Sequence, residues 1–175
     1  SGVIRKCSAV WFTGGDQMRT TKILFNPDGS KKPLLEAVWE VYNAGGVIAG
    51  SSAGAAIMSE AMIGGGNSLG ALTHGVIENY AGDDFPEGDG VLMTKGLGFF
   101  PFGIVDQHFD QRGRIGRLIV ALINEKSRFN LGFGVDENTA LIYDGKQKML
   151  KVAGASGVTL INTAQVIYSK SQNLP

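Results

Sequence analysis

GVIAGSSAGAAIM, residues 46–58, decides the fold. Val47-Ile48-Ala49 is a short apolar run that ends at Gly50. Two serines follow, and small residues then lead into a second apolar run. A buried strand passing through a tight turn directly into a helix is the unit from which α/β domains are built. The pattern predicts a strand at 47–49 and a helix over residues 53–62. Gly50-Ser51-Ser52-Ala53-Gly54 also fits G-x-S-x-G, with Ser52 at its centre. In that motif the central serine rides on a strained turn, and bulky neighbours would collide with the strand or helix. The turn lifts the hydroxyl above the sheet, and the helix beyond it aims backbone N–H groups at the reacting oxygen. Ser52 is therefore the expected nucleophile and Ser51 a packing residue. The plainer account is that five small residues make a strand-to-helix joint without chemistry.

The pattern on both sides of this turn alternates strand and helix. Upstream, Ala9-Val10-Trp11-Phe12 is an apolar run stopping at Thr13-Gly14-Gly15, as a buried parallel strand would. Helices are expected over residues 18–25 and 32–44. The second carries the stripe Leu34, Leu35, Val38, Trp39, Val41 and Tyr42, with Pro33 in its first turn and Gly45 past its end. Downstream, residues 64–96 mix glycine, acidic residues and short apolar pieces, which predicts a long surface excursion. Ile104-Val105-Asp106 looks like a strand end, followed by a helix over 112–124. The tail turns to β at 133–135, 140–143, 149–152, 158–161 and 166–168, with a turn at Asp144-Gly145. This is one α/β domain over residues 1–175, with a mainly parallel sheet and antiparallel strands late in the chain. An α/β sheet has strands on both sides of its active crevice. The strand at residues 9–12 would otherwise be an unprotected edge, so further residues are expected before Ser1, and also after Pro175.

Composition narrows the class. The 175 residues are 43% hydrophobic and 18% charged with no net charge, the profile of a soluble globular protein. Charge balance leaves no electrostatic footprint for nucleic acid or a membrane surface. No apolar run approaches the roughly 20 residues that span a bilayer. Cys7 is the only cysteine, so there is no internal disulfide and no cysteine metal site. The expectation leans to the cytoplasm. The 26 glycines gather at joints such as Gly14-Gly15, Gly45-Gly46 and Gly64-Gly65-Gly66.

A nucleophilic serine needs a base, and the chain offers only His74 and His108. His74 lies in the weakly patterned excursion, where a solvated histidine is the simpler account. His108 ends a presumed strand, where parallel-sheet active sites gather. The orienting carboxylate is expected at Asp136 or Glu137, after the strand Gly134-Val135, and the residues alone do not choose between them. The order serine, histidine, acid differs from that of the α/β-hydrolases and argues against a lipase or esterase. Gly14-Gly15 could bring a backbone N–H close to a ligand. Arg112, Arg114 and Arg117 fall at the expected start of a helix, where cations oppose the macrodipole. An anionic substrate or a carboxylate partner would account for them.

Four stretches carry a resemblance: Phe12-Thr-Gly-Gly-Asp-Gln17, residues 46–58, Asp106-Gln-His-Phe-Asp-Gln-Arg-Gly-Arg-Ile-Gly-Arg-Leu118 and Gly134-Val-Asp-Glu-Asn-Thr-Ala140. In order and spacing the chain resembles the serine peptidase family that holds the cyanophycinases and the aspartyl dipeptidases of peptidase E type. The Asp106–Leu118 block points to the cyanophycinase branch. The resemblance implies a flavodoxin-like or class I glutamine amidotransferase-like sandwich with helices on both faces, and a homodimer. It implies Ser52 as nucleophile, His108 as base, Glu137 as orienting acid, and an oxyanion hole from Gly15 and Ala53. Gln17, Asp106, Gln107, Arg112, Arg114 and Arg117 would bind substrate. That substrate would be the polymer cyanophycin, cleaved to β-Asp-Arg dipeptides, with no metal or other cofactor required. The alternatives are an aspartyl or isoaspartyl dipeptidase, and an inactive relative that only binds the polymer.

Overall fold

The computed structural model describes residues 1–82, 84–125 and 128–166. After a 3-10 turn at Ile4–Lys6, strand β1 (Ala9–Phe12) leads to α1 (Gln17–Leu24) and α2 (Pro33–Asn43). Asp16 caps α1, its carboxylate accepting the backbone N–H groups of Met18 and Arg19 at 2.7 and 3.2 Å. Pro33 opens α2, whose Leu35, Ala37, Val38 and Val41 are buried. Gly45, at φ 88°, turns the chain back into β2 (Val47–Gly50). β2 lies parallel to β1 with Phe12 opposite Gly50, so the turns after the two strands emerge side by side.

The helix after β2 is shorter than expected. α3 covers only Ala53–Ala56, and β3 (Ala61–Gly66) begins within the predicted helical run. A strand buried on both faces reads as a continuous apolar run, which periodicity cannot separate from a buried helix. β3 is such a strand. Ala61 and Ile63 pack with Leu118, Ala121 and Leu122 of a later helix, whereas Met62 packs with Leu35 and Val38 of α2. Ser59, fully buried just before β3, accepts the Val105 backbone N–H at 2.7 Å.

The surface excursion expected over 64–96 is also corrected. It contains α4 (Ser68–His74), β4 (Val76–Ile77) and β5 (Val91–Lys95), and Val91, Leu92 and Met93 belong to the core. The three glycines of 64–66 hid the end of β3. A side chain at Gly66 would run into the Gly90 carbonyl, and one at Gly64 would meet the Met18 sulfur at 2.7 Å. Among the described residues of 78–90 there is no helix or strand.

β6 (Ile104–Gln107) is buried along its whole length and pairs parallel with β7 (Leu131–Val135). Between them, α5 (Ile115–Glu125) starts three residues later than expected, which leaves Arg112 and Arg114 in the preceding turn. β8 (Thr139–Asp144) and β9 (Met149–Gly154) form an antiparallel hairpin around Asp144-Gly145, and β10 (Val158–Asn162) pairs antiparallel with β7. The pairing is mixed rather than mainly parallel. β1–β2, β4–β5 and β6–β7 are parallel, whereas β3–β5, β7–β10 and β8–β9 are antiparallel. The cause is that β3, β4 and β5, hidden in the supposed excursion, bring an antiparallel pair of their own. Of the strand expected at 166–168, residues 167 and 168 lie outside the described residues, and Val166 is not in a strand. No described helix is long and apolar enough to cross a membrane.

Candidate active site

Two pairs of parallel strands present their C-terminal ends to one region. β1 and β2 end in the Thr13–Gln17 and Ser51–Ser52 turns; β6 and β7 end in His108 and in Asp136-Glu137. Such ends are where α/β sheets build sites.

Ser52 stands between β2 and α3 at φ 52° and ψ −116°, a backbone conformation that costs a non-glycine residue free energy and persists only where the surroundings impose it. The flanking glycines impose it here. A side chain on Gly50 would strike the Gly54 carbonyl, and one on Gly54 would strike the Phe12 carbonyl. Gly14 backs onto the serine, its missing Cβ 3.2 Å from Ser52 Cβ and 3.7 Å from Ser52 Oγ. His108 also has a left-handed backbone, at φ 47°, as the chain leaves β6.

These turns bring three side chains into line. His108 Nε2 lies 2.8 Å from Ser52 Oγ, and His108 Nδ1 lies 2.8 Å from Glu137 Oε1. With the Nδ1 proton donated to the carboxylate, Nε2 is free to accept from the serine hydroxyl. The adjacent Asp136 points elsewhere. One of its oxygens accepts the Asp110 N–H at 3.1 Å, and the other accepts the Ser156 hydroxyl at 2.8 Å and the Gly157 N–H at 3.4 Å. The Ser156 hydroxyl, with help from the Asp110 N–H, holds the Asp136 carboxyl below its ordinary range. The two neighbouring acids, which the strand-end pattern alone left open, thus make different contacts. Among the described residues the N–H groups of Gly15 and Ala53 have no acceptor, and Gly15 takes φ 141°.

A cavity of about 810 Å³ opens over Ser52, His108 and Glu137, walled by Trp11, Tyr42, Phe99, Phe100 and Tyr143. Gln107 lines it too. The residue is 7% exposed, and its Oε1 has no partner among the described residues.

The remaining residues expected at the substrate are placed differently. Asp106 and Arg117, 1% and 3% exposed, bond to each other. Arg117 Nε donates to Asp106 Oδ2 at 2.8 Å, Nη2 donates to Oδ1, and Nη1 donates to the Gly66 carbonyl. Arg114 is also buried and donates to the Gln107 carbonyl. Burial, then the nearby Arg117 charge, brings its guanidinium down to about 10. Gln17 gives its amide N–H groups to the Ile63 and Gly64 carbonyls at 3.2 and 2.9 Å. None of these four lines the cavity. Gln17, Asp106, Arg114 and Arg117 thus sit away from the cavity, where they fasten β3, β6 and the α1 and α5 helices behind the site. A carboxylate buried this deeply needs a paired cation; Arg117 supplies it, and Arg114 Nη1 lies 3.6 Å from Asp106 Oδ1. Arg112 is exposed outside the cavity. Sequence reasoning passed over Gln111, whose Oε1 accepts the Glu137 backbone N–H at 3.0 Å. A polar residue in a turn gives no pattern that would reveal such a bond.

Comparison with known proteins fits this arrangement. Residues 2–151 match peptidase family S51. A cyanophycinase of Geminocystis herdmanii is 35% identical over 167 residues, covering 95% of this chain and 53% of that protein. A cyanophycinase of Trichormus variabilis is 34% identical over 172 residues, covering 98% of this chain and 50% of that protein. The chain thus spans about half the length of the curated relatives it matches. A crystal structure of a peptidase from an acI-B1 Actinobacterium superposes with a TM-score of 0.66 at 21% identity, covering 94% of this chain and 57% of the other.

Proposed function

The chain belongs to peptidase family S51, and from that premise we propose that it is the catalytic part of a serine exopeptidase acting on cyanophycin. Ser52 is the nucleophile, His108 the general base and Glu137 the orienting acid. The observation that carries this reading is the pair of 2.8 Å contacts that join Ser52, His108 and Glu137 in sequence.

His108 Nε2 takes the Ser52 proton as Oγ attacks the α-peptide carbonyl of the poly-aspartate backbone. Negative charge builds on the carbonyl oxygen, and the unpaired N–H groups of Gly15 and Ala53 receive it. His108 then passes its proton to the leaving amine. Water, activated by the same imidazole, releases the acyl group and restores Ser52. Glu137 keeps the Nδ1 proton in place and stabilises the imidazolium that forms at each step.

The names of the relatives support the polymer as substrate, and β-Asp-Arg dipeptides are the product expected on this reading. Gln107 supports it from within, because its orphaned Oε1 in the cavity wall needs a donor such as a peptide or guanidinium N–H. Arg112 is the remaining candidate for an anionic group of the substrate. The finer architecture is a flavodoxin-like or glutamine amidotransferase-like sandwich with helices on both faces. In it the Ser52 turn serves as a nucleophile elbow, within a cytoplasmic homodimer that binds neither nucleic acid nor membrane.

The test is to incubate the full-length protein with insoluble cyanophycin and weigh the soluble products by mass spectrometry. β-Asp-Arg is expected. Free arginine, or intact polymer, would sink the assignment; cleavage of an isoaspartyl dipeptide with the polymer untouched would favour a dipeptidase.

A further inference from the structure

We propose that Gln111 and Asp136 are a reciprocal pair of positioning residues that hold His108 and Glu137 in register. The proposal rests on the peptidase reading of Ser52.

Regular β6–β7 pairing ends at Gln107 opposite Val135. Beyond it both chains leave the sheet through left-handed residues, His108 at φ 47° and Asn138 at φ 54°. Segments of this kind have no ladder to fix them, yet the His108–Glu137 contact needs both to be fixed. Three bonds replace the ladder. The Phe109 N–H donates to the Val135 carbonyl at 3.2 Å. The Asp110 N–H donates to Asp136 Oδ1 at 3.1 Å, and the Glu137 N–H donates to Gln111 Oε1 at 3.0 Å. Each segment thus lends one side chain to the backbone of the other. The second oxygen of Asp136 extends the fastening to Ser156 and Gly157, ahead of β10, and the Asp136 N–H donates to the Gly157 carbonyl at 3.2 Å.

The pair matters because Glu137 is not held by packing. Its side chain is 46% exposed and reaches His108 from an open turn. A long solvated side chain loses rotamer freedom when it is held in one geometry, and that loss offsets much of an exposed ion pair. Fixing the backbone on both sides of the contact reduces what remains to be ordered. Among the described contacts, neither Gln111 nor Asp136 bonds to the Ser52 or His108 side chains. Both act through Glu137 and the His108 turn.

The experiment compares Gln111→Ala, Asp136→Ala and Asp136→Asn with the wild-type full-length protein. It has two readouts. One is the pH profile of kcat/KM per active site, titrated with a fluorophosphonate. The other is the proton NMR resonance of the hydrogen-bonded His108 Nδ1–H. We expect kcat to fall about ten- to a hundredfold with KM little changed. The acid limb of the profile should move to lower pH, because an ill-placed Glu137 stabilises the imidazolium less. The Nδ1–H resonance should broaden or vanish. The two alanine changes combined should cost less than the product of their single effects, as members of one unit do. Gln111 is exposed, so its variant carries the test if Asp136→Ala does not fold. Asp136→Asn keeps one acceptor for Asp110 and should lie between Asp136→Ala and wild type. An unchanged resonance together with an unchanged acid limb in Gln111→Ala would overturn the proposal. The resonance needs no substrate, so it judges the positioning claim even if the polymer is not cleaved.

Discussion

Arg117 meets Asp106 through two guanidinium nitrogens in the interior, with both side chains almost entirely out of water. The third nitrogen is spent on the Gly66 carbonyl, so one side chain ties the end of β6 to the end of β3 from a seat on α5. Removing one partner of such a pair leaves the other charge buried and unpaired. Arg117→Ala should destabilise the protein by about 3–5 kcal/mol, read as a lower urea midpoint with the slope unchanged. A variant as stable as wild type but with raised KM would return Arg117 to the substrate.

Gly54→Ala tests the turn that carries Ser52. Its methyl group would collide with the Phe12 carbonyl, which forces β1 and α3 apart. A cost of about 1–3 kcal/mol in stability is expected, with kcat/KM down by roughly a hundredfold as Ser52 Oγ leaves the line to His108. Full activity in a folded Gly54→Ala protein would show that the turn does not need its small neighbour.

Asp136 gives a pH signature. Its carboxyl is held low in the folded state by the Ser156 hydroxyl and the Asp110 N–H, whereas the unfolded chain has the ordinary value of about 3.9. A depressed folded value stabilises the protein above the unfolded pKa, and that stabilisation fades as pH falls through the folded value. Wild type should therefore exceed Asp136→Asn in urea resistance at neutral pH, with the gap closing as pH drops below about 4. A gap that stays constant through that range would mean that ionisation of Asp136 contributes nothing.

Gln107 should act on binding. Its Oε1 is buried in the cavity wall with no partner among the described residues, a state that a substrate donor would relieve. Gln107→Leu should raise KM several-fold for polymer while kcat changes less, because one neutral hydrogen bond is worth about 0.5–1.5 kcal/mol. Unchanged KM would remove Gln107 from the substrate.

How far the sequence could be read depended on locality. The β2–Ser52–α3 joint was legible because its glycines are required by contacts within a few residues and with the neighbouring strand β1. α2 was legible from its stripe and its proline and glycine ends. The placing of His108 and Asp136-Glu137 at strand ends was readable too, from the apolar runs before them. β3, β4 and β5 were not. β3 is buried on both faces and carries three glycines, so its pattern matches neither alternation nor a helix. The buried ion pairing of Asp106 with Arg114 and Arg117 was not legible, because such a pair depends on the burial that folding gives its members. The strand-end pattern left Asp136 and Glu137 open and the resemblance favoured Glu137; the different directions of the two side chains exist only in the folded chain.

Ser52, not its neighbour Ser51, is the proposed nucleophile. Of the two serines, among the described residues, Ser52 alone bonds to a histidine: its Oγ lies 2.8 Å from His108 Nε2. The direct measurement is the rate of dipeptide release from cyanophycin by wild type, Ser51→Ala and Ser52→Ala, with each folded state verified. Ser52→Ala should lose about 10⁴-fold or more, and Ser51→Ala should keep most of the wild-type rate. Release of dipeptide by Ser52→Ala at the wild-type rate, or its loss in Ser51→Ala alone, would contradict the account.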